Sequence, residues 1–175
     1  LRWMTSLKSV SILNQTGIES ADEIALPDGI ESLTLDNAYA LRDIQPLTRY
    51  PSLIRVSLRN CRSIEDFSPL SELTRCESIT LQGCKRFDSP RILSTLTNLR
   101  TLDLSHCDSV ADIAPLSSLI NINTLNLLGC ERIDDIQALV NLKKLRSLDI
   151  RRCRRIPKEQ IDLLKKEIPG IRIQN

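Results

Sequence analysis

The sequence predicts an α/β solenoid, right-handed and curved, with a parallel β-sheet on its concave face and short 3₁₀ or α turns on its convex face. Three observations predict it. First, a hexamer with apolar residues at its first, fourth and sixth places recurs eight times. It reads LKSVSI at Leu7, IESLTL at Ile30, LIRVSL at Leu53, CESITL at Cys76, LRTLDL at Leu99, INTLNL at Ile122, LRSLDI at Leu145 and IPGIRI at Ile168. Successive starts are 23 residues apart, without a gap. Second, position 9 of the unit carries Cys61, Cys84, Cys107, Cys130 and Cys153. Third, a segment of the form D-I/F-x-P-L follows, as RDIQPL, EDFSPL, ADIAPL and DDIQAL.

Each element of the unit has its own reason. The hexamer alternates at its end, so its leucines face one side and the residues between them the other. Stacking the units pairs these short strands into a parallel sheet at about 4.8 Å spacing, on the order of 34 Å across eight strands. Position 12 is apolar throughout, from Ile18, Leu41 and Ile64 to Val110, Ile133 and Ile156. The return arm then starts at Asp43, Asp66, Asp112 and Asp135. A carboxylate there can cap the first N–H groups of a helical turn, and proline, present as Pro46, Pro69 and Pro115, suits such a start. Because strands pack more closely than return arms, the stack curves with its sheet on the inside.

The ends differ from the middle. After Cys153 the D-I-x-P-L segment gives way to PKEQIDLLKKEI, with Ile161, Leu164 and Ile168 at helical spacing. We expect residues 153–175 to form a helix–strand cap on repeats spanning 7–152. The opening LRWMTS (residues 1–6) fits the tail of a preceding unit, with Leu1 at position 18 and Met4 at position 21, so repeats are expected upstream. All of this is one continuous domain.

Composition narrows the function. Aromatics make up only 3% of the 175 residues, so the core must be aliphatic. No apolar run approaches the roughly 18–20 residues of a membrane span. The net charge of +2 selects no partner class, but its distribution is uneven. Residues 141–175 hold eleven Lys/Arg and four Asp/Glu, a net of +7, which leaves −5 for residues 1–140.

The repeat resembles the leucine-rich-repeat family, whose unit reads L-x-x-L-x-L-x-x-N/C-x-L. The resemblance covers essentially the whole chain. Cysteine at position 9 is similar to the cysteine-containing repeats of F-box adaptors. The D-I-x-P-L segment is similar to internalin-like and phosphatase-regulator-like repeats, and the mixed unit to receptor arms of NLR-like signalling ATPases. The resemblance implies a leucine-rich-repeat solenoid and a protein-binding role, without catalysis or a cofactor.

Candidate chemistry must be weighed against this frame. Five cysteines at a 23-residue period and a single histidine do not have metal-ligand spacing. Position 9 is expected to point inward, and sulfurs one strand apart are too far for a disulfide. Reduced cysteines point to an intracellular protein, cytoplasmic or nuclear. The run DLSHCD brings Asp103, His106 and Cys107 together in sequence, but the frame turns Cys107 inward and puts His106 on the rim. The sequon Asn14-Gln15-Thr16 is read as coincidence.

Function is expected on the outward positions 3, 5, 7 and 8. On the concave face these offer Arg55, Arg59, Gln82, Asp103, His106, Asn126, Asp149, Arg151 and Arg152. At the basic end they are joined by Lys143, Arg146, Arg154 and Arg155. The expected partner is a protein, acidic in character, or another domain of the full-length chain. The competing expectation is a nucleic acid or another anionic surface docked on the basic last repeat, although no aromatic stacking platform is interleaved with those charges.

Overall fold

The computed structural model describes residues 6–175. The upstream tail expected from Leu1 and Met4 therefore lies outside the described residues. Eight three-residue strands form one parallel sheet in chain order. They are β1 (Ser9–Ser11), β2 (Ser32–Thr34), β3 (Arg55–Ser57), β4 (Ser78–Thr80), β5 (Thr101–Asp103), β6 (Thr124–Asn126), β7 (Ser147–Asp149) and β8 (Arg172–Gln174). From β1 to β7 partners lie one period apart, as Ser78 with Thr101 and Thr101 with Thr124. The repeat frame is thus the sheet register, with position 4 buried in every strand from Val10 to Leu148.

The return arms are 3₁₀ turns, at Ala21–Glu23, Gln45–Arg49, Ser68–Glu72, Pro90–Leu93, Ala114–Ser118 and Gln137–Asn141. Their tightness follows from length: three to five residues close only i→i+3 bonds, such as Leu47 N–H to the Ile44 carbonyl. The four aspartates start them as expected. Asp43, Asp66, Asp112 and Asp135 each accept the backbone N–H two residues on, at 2.8 Å. These bonds hold the Asp66 carboxyl below the ordinary range, the Ser68 side chain being the larger cause. The first turn uses a capping box instead, Ser20 with Glu23.

The cap helix α1 (Lys158–Glu167) buries Ile161 and Leu164, and Lys165 and Lys166 sit in its last turn. The last strand departs from the expected register. The IPGIRI frame puts Gly170 at position 3, but Arg172 is the residue that pairs with Ser147. The α-helical return arm takes two residues more than the 3₁₀ arms before Gly170, at φ 84°, turns the chain into β8. A slip of two preserves the pleat, so Ile173 takes the inward place expected of Ile171. Between the two layers lies one continuous aliphatic core, with an edge-on Phe67–Phe87 pair 5.2 Å apart.

Candidate functional site

The cysteine ladder points into the core, and each thiol has a structural job. Cys61, Cys84, Cys107, Cys130 and Cys153 donate to the carbonyls of Leu35, Leu58, Leu81, Leu104 and Leu127, at 3.0–3.1 Å. Each therefore satisfies the position 6 carbonyl of the preceding repeat. Burial pushes the thiols of Cys61, Cys76, Cys84 and Cys130 up to about 12 and that of Cys153 to about 11, and raises Cys107 as well. A thiol so protonated at neutral pH is a poor nucleophile. Titration of the folded protein with an alkylating reagent at pH 8 should find no fast thiol, with Cys153 reacting first as urea is added. One fast native thiol on an inner rung would contradict this. Among the described residues no group of three His, Cys, Asp or Glu side chains is placed to hold a metal.

The outward positions are more constrained than their exposure in sequence implies. The parallel ladder bonds the N–H of positions 6 and 8 to the next repeat, as Leu104 to Asn126 and His106 to Leu128. The N–H of position 7 points away from that ladder. A position 5 side chain takes it: Asp103 accepts from Ser105 at 2.9 Å, Asn126 from Leu128 at 3.0 Å and Asp149 from Arg151 at 3.1 Å. Asp103, Asn126 and Asp149 are thus half-buried turn formers as well as surface residues. In β2 and β3 Asp36 does this across the stack, accepting from the Arg59 N–H and the Ser57 hydroxyl.

Asp149 carries a second load. The Arg151 guanidinium meets it through two nitrogens, at 3.0 and 2.6 Å, and holds its carboxyl below the usual 3.8. A carboxyl depressed by folding contributes stability above its unfolded pKa and loses it as the pH falls through the folded one. The contribution of this pair should therefore be complete at neutral pH and fade below 3.8. A carboxyl NMR titration should place the Asp149 midpoint below that value and raise it in Arg151→Ala; no movement would remove the arginine as the cause.

Position 8 was expected to be a rim contact, and it is first a backbone requirement. Asn14, Asn37, Asn60, His106 and Arg152 have φ between 56° and 67°, and Gly83 and Gly129 lie at 73° and 74°. Asparagine and glycine suit that left-handed bend; a long side chain such as Arg152 rarely occupies it. The asparagines also form an amide ladder, Asn37 donating to Asn14 at 2.9 Å and Asn60 to Asn37 at 2.8 Å. The signal was present in the sequence as the column Asn, Asn, Asn, Gly, His, Gly, Arg.

The structure gathers some expected residues and separates others. Arg55 and Arg59 stand over one concave depression, spanning β2 to β4. His106 and Arg152 share a cavity of about 410 Å³ with Asp108 of the DLSHCD run and with Lys85, Glu131 and Arg132, which the sequence did not single out. Arg152 and Arg154 flank a smaller one beside Asn175. Gln82 lies half-buried between the first two groups. The basic end is divided. Lys143 and Arg146 precede β7, bonded to Glu167 and to backbone carbonyls, whereas Arg154 and Arg155 follow it. Arg155 is paired with Asp134 at 3.0 Å.

Residues 90–163 match the family model for Zer-1-like leucine-rich repeats. Sequence comparison with curated proteins gives no match. Among solved structures the fold is similar to internalin C2 of Listeria monocytogenes, with a TM-score of 0.75 and 21% identity over 94% of this chain and 69% of that one. It is similar to a second internalin of that organism, inlF, with a TM-score of 0.60 and 20% identity over 97% and 63%. A leucine-rich-repeat protein of Leptospira interrogans gives 0.69 and 18%, over 99% and 50%. At such identities the likeness is one of fold. The chain spans half to about two-thirds of the length of these structures.

Proposed function

The chain is a leucine-rich-repeat solenoid, and from that fold we propose a non-enzymatic protein-recognition module, the sensor, adaptor or scaffold arm of a larger protein. The partner lies against the concave face and the basic last repeat. Stacked repeats suit this, because they present an extended surface on a rigid frame. One observation carries the reading. Arg55, Arg152 and Arg154 are exposed, and among the described residues none of them takes part in an ion pair. Arginine is a favoured interface anchor, and free guanidinium groups suit an acidic protein surface. Six buried thiols, held without disulfides, support an intracellular setting.

A nucleic acid is the competing partner, favoured by Lys158, Lys165, Lys166 and Arg172 on the same cap. Affinity capture from cell extract separates the two. Proteins retained by the wild type should be lost on Arg59→Glu/Arg151→Glu/Arg152→Glu and kept on Arg91→Glu, which lies on the convex side. Unchanged recovery would overturn the concave-face assignment. Bound material that nuclease removes, with an affinity falling steeply in salt, would replace the protein reading with the nucleic-acid one.

A further inference from the structure

A depression of about 310 Å³ opens on the concave face over β2, β3 and β4. Two arginines, Arg55 of β3 and Arg59 at its exit, line it, and both are exposed. Its lining is rich in hydroxyls, beside the buried Leu33 and Val56. The hydroxyl of Ser57 is committed to Asp36 at 2.6 Å. Those of Thr34, Ser78 and Thr80 donate no hydrogen bond among the described residues. Asp36, the one acid at the site, is largely buried, and its oxygen Oδ1 is taken by Ser57 and by the Arg59 N–H. Its other oxygen is 3.9 Å from Arg59 Nε, a loose contact that orients this guanidinium without saturating it. Arg55 has no acid partner among the described residues.

We propose that this depression is a subsite for a phosphoserine or phosphothreonine side chain of the partner protein. The inference rests on the protein-recognition reading of the same face and narrows it. A phosphoryl group carries three acceptor oxygens and close to two charges at pH 7. With nearly twice the charge of a carboxylate, it offers enough acceptors for two guanidinium forks and a hydroxyl donor at once. The register favours this end of the sheet: Arg55 aligns with Thr101 on β5 and Ser147 on β7, which carry no charge, and Ser57 aligns with the acids Asp103 and Asp149. The presenting group is a peptide. A flat bilayer cannot follow the inside of a curved sheet, whereas an extended chain can lie along the row of small side chains at Ser78, Thr101, Thr124 and Ser147.

The probe is a fluorescent Gly/Ala nonapeptide with central phosphoserine, compared with its serine and glutamate forms, with inorganic phosphate and with anionic lipid vesicles. The phosphopeptide should bind at least about tenfold more tightly than the other four and shift the Nε–H NMR signals of Arg55 and Arg59. Arg55→Gln or Arg59→Gln should remove that preference, and Arg91→Gln should keep it. Equal binding of the phosphorylated and glutamate peptides would overturn the proposal. So would vesicles or free phosphate binding as tightly, or a preference that survives Arg55→Gln. Phosphatase treatment of the extract distinguishes this inference from the one beneath it. Capture that still depends on Arg151 and Arg152 but ignores phosphatase defeats the phosphoryl subsite and leaves protein recognition standing.

Discussion

Truncating Leu104 to alanine should destabilise the fold by about 2–5 kcal/mol. Leu104 is fully buried, at position 6 of a repeat in the middle of the stack. Its backbone sits in the ladder, donating to the Asn126 carbonyl at 2.9 Å. Its own carbonyl accepts the Cys107 N–H at 3.0 Å and the Cys130 thiol at 3.1 Å. Those bonds pin the main chain on both sides of the missing side chain, so the neighbours cannot close the hole by sliding inward. A solenoid makes this worse, since each repeat is held only by the two beside it. Ile173→Ala is the contrast. That residue is half-buried on the last strand and is covered from one side only, so its loss should cost about 1 kcal/mol or less. Urea unfolding midpoints at constant slope measure both. A Leu104→Ala midpoint no lower than that of Ile173→Ala would show that the stack repacks more freely than its bonds imply.

How much of this was legible in the sequence depends on which force sets each feature. The register from β1 to β7 is dictated by burial at positions 4 and 6, and burial writes itself into apolar periodicity. The aspartate caps were legible because a local bond fixes a spacing: in four of the six 3₁₀ turns an aspartate, such as Asp66 or Asp112, stands two residues ahead of the N–H it satisfies. β8 was not, because its place depends on how far a helix advances the chain, and an apolar frame slipped by two residues looks the same. The roles of Asp103, Asn126 and Asp149 were hidden for another reason. They look like free surface residues until the ladder shows that the position 7 N–H lacks a backbone acceptor. The concave depression is less legible still, since Arg55 on β3 and Arg59 at its exit are joined into one site by residues of β2 and β4, distant in sequence.

The left-handed bend at position 8 yields the other large effect. Gly129→Ala should cost about 2 kcal/mol or more, from two separable sources. An alanine at φ 74° is strained whatever surrounds it, by about 1–2 kcal/mol. Its Cβ would also stand 2.7 Å from Nδ1 and 3.0 Å from Cε1 of His106, whose ring lies over the glycine. The ring is rigid, and its own backbone is fixed by the bond from His106 N–H to the Leu128 carbonyl at 2.7 Å. In a His106→Ala background the clash disappears and the bend remains, so Gly129→Ala should then cost only about 1–2 kcal/mol. Equal costs in the two backgrounds would mean that the ring moves aside freely. The first three repeats suggest a repair. There asparagines occupy the bend and stack through their amides, as Asn60 does on Asn37. His106→Asn combined with Gly129→Asn should therefore recover most of the loss, because asparagine tolerates this φ and the two amides can bond across the 23-residue step. Recovery would mean that what the stack needs at position 8 is a bend with a compact neighbour above it. Failure, with both single changes tolerated, would assign the His106 ring a packing role that no amide can fill.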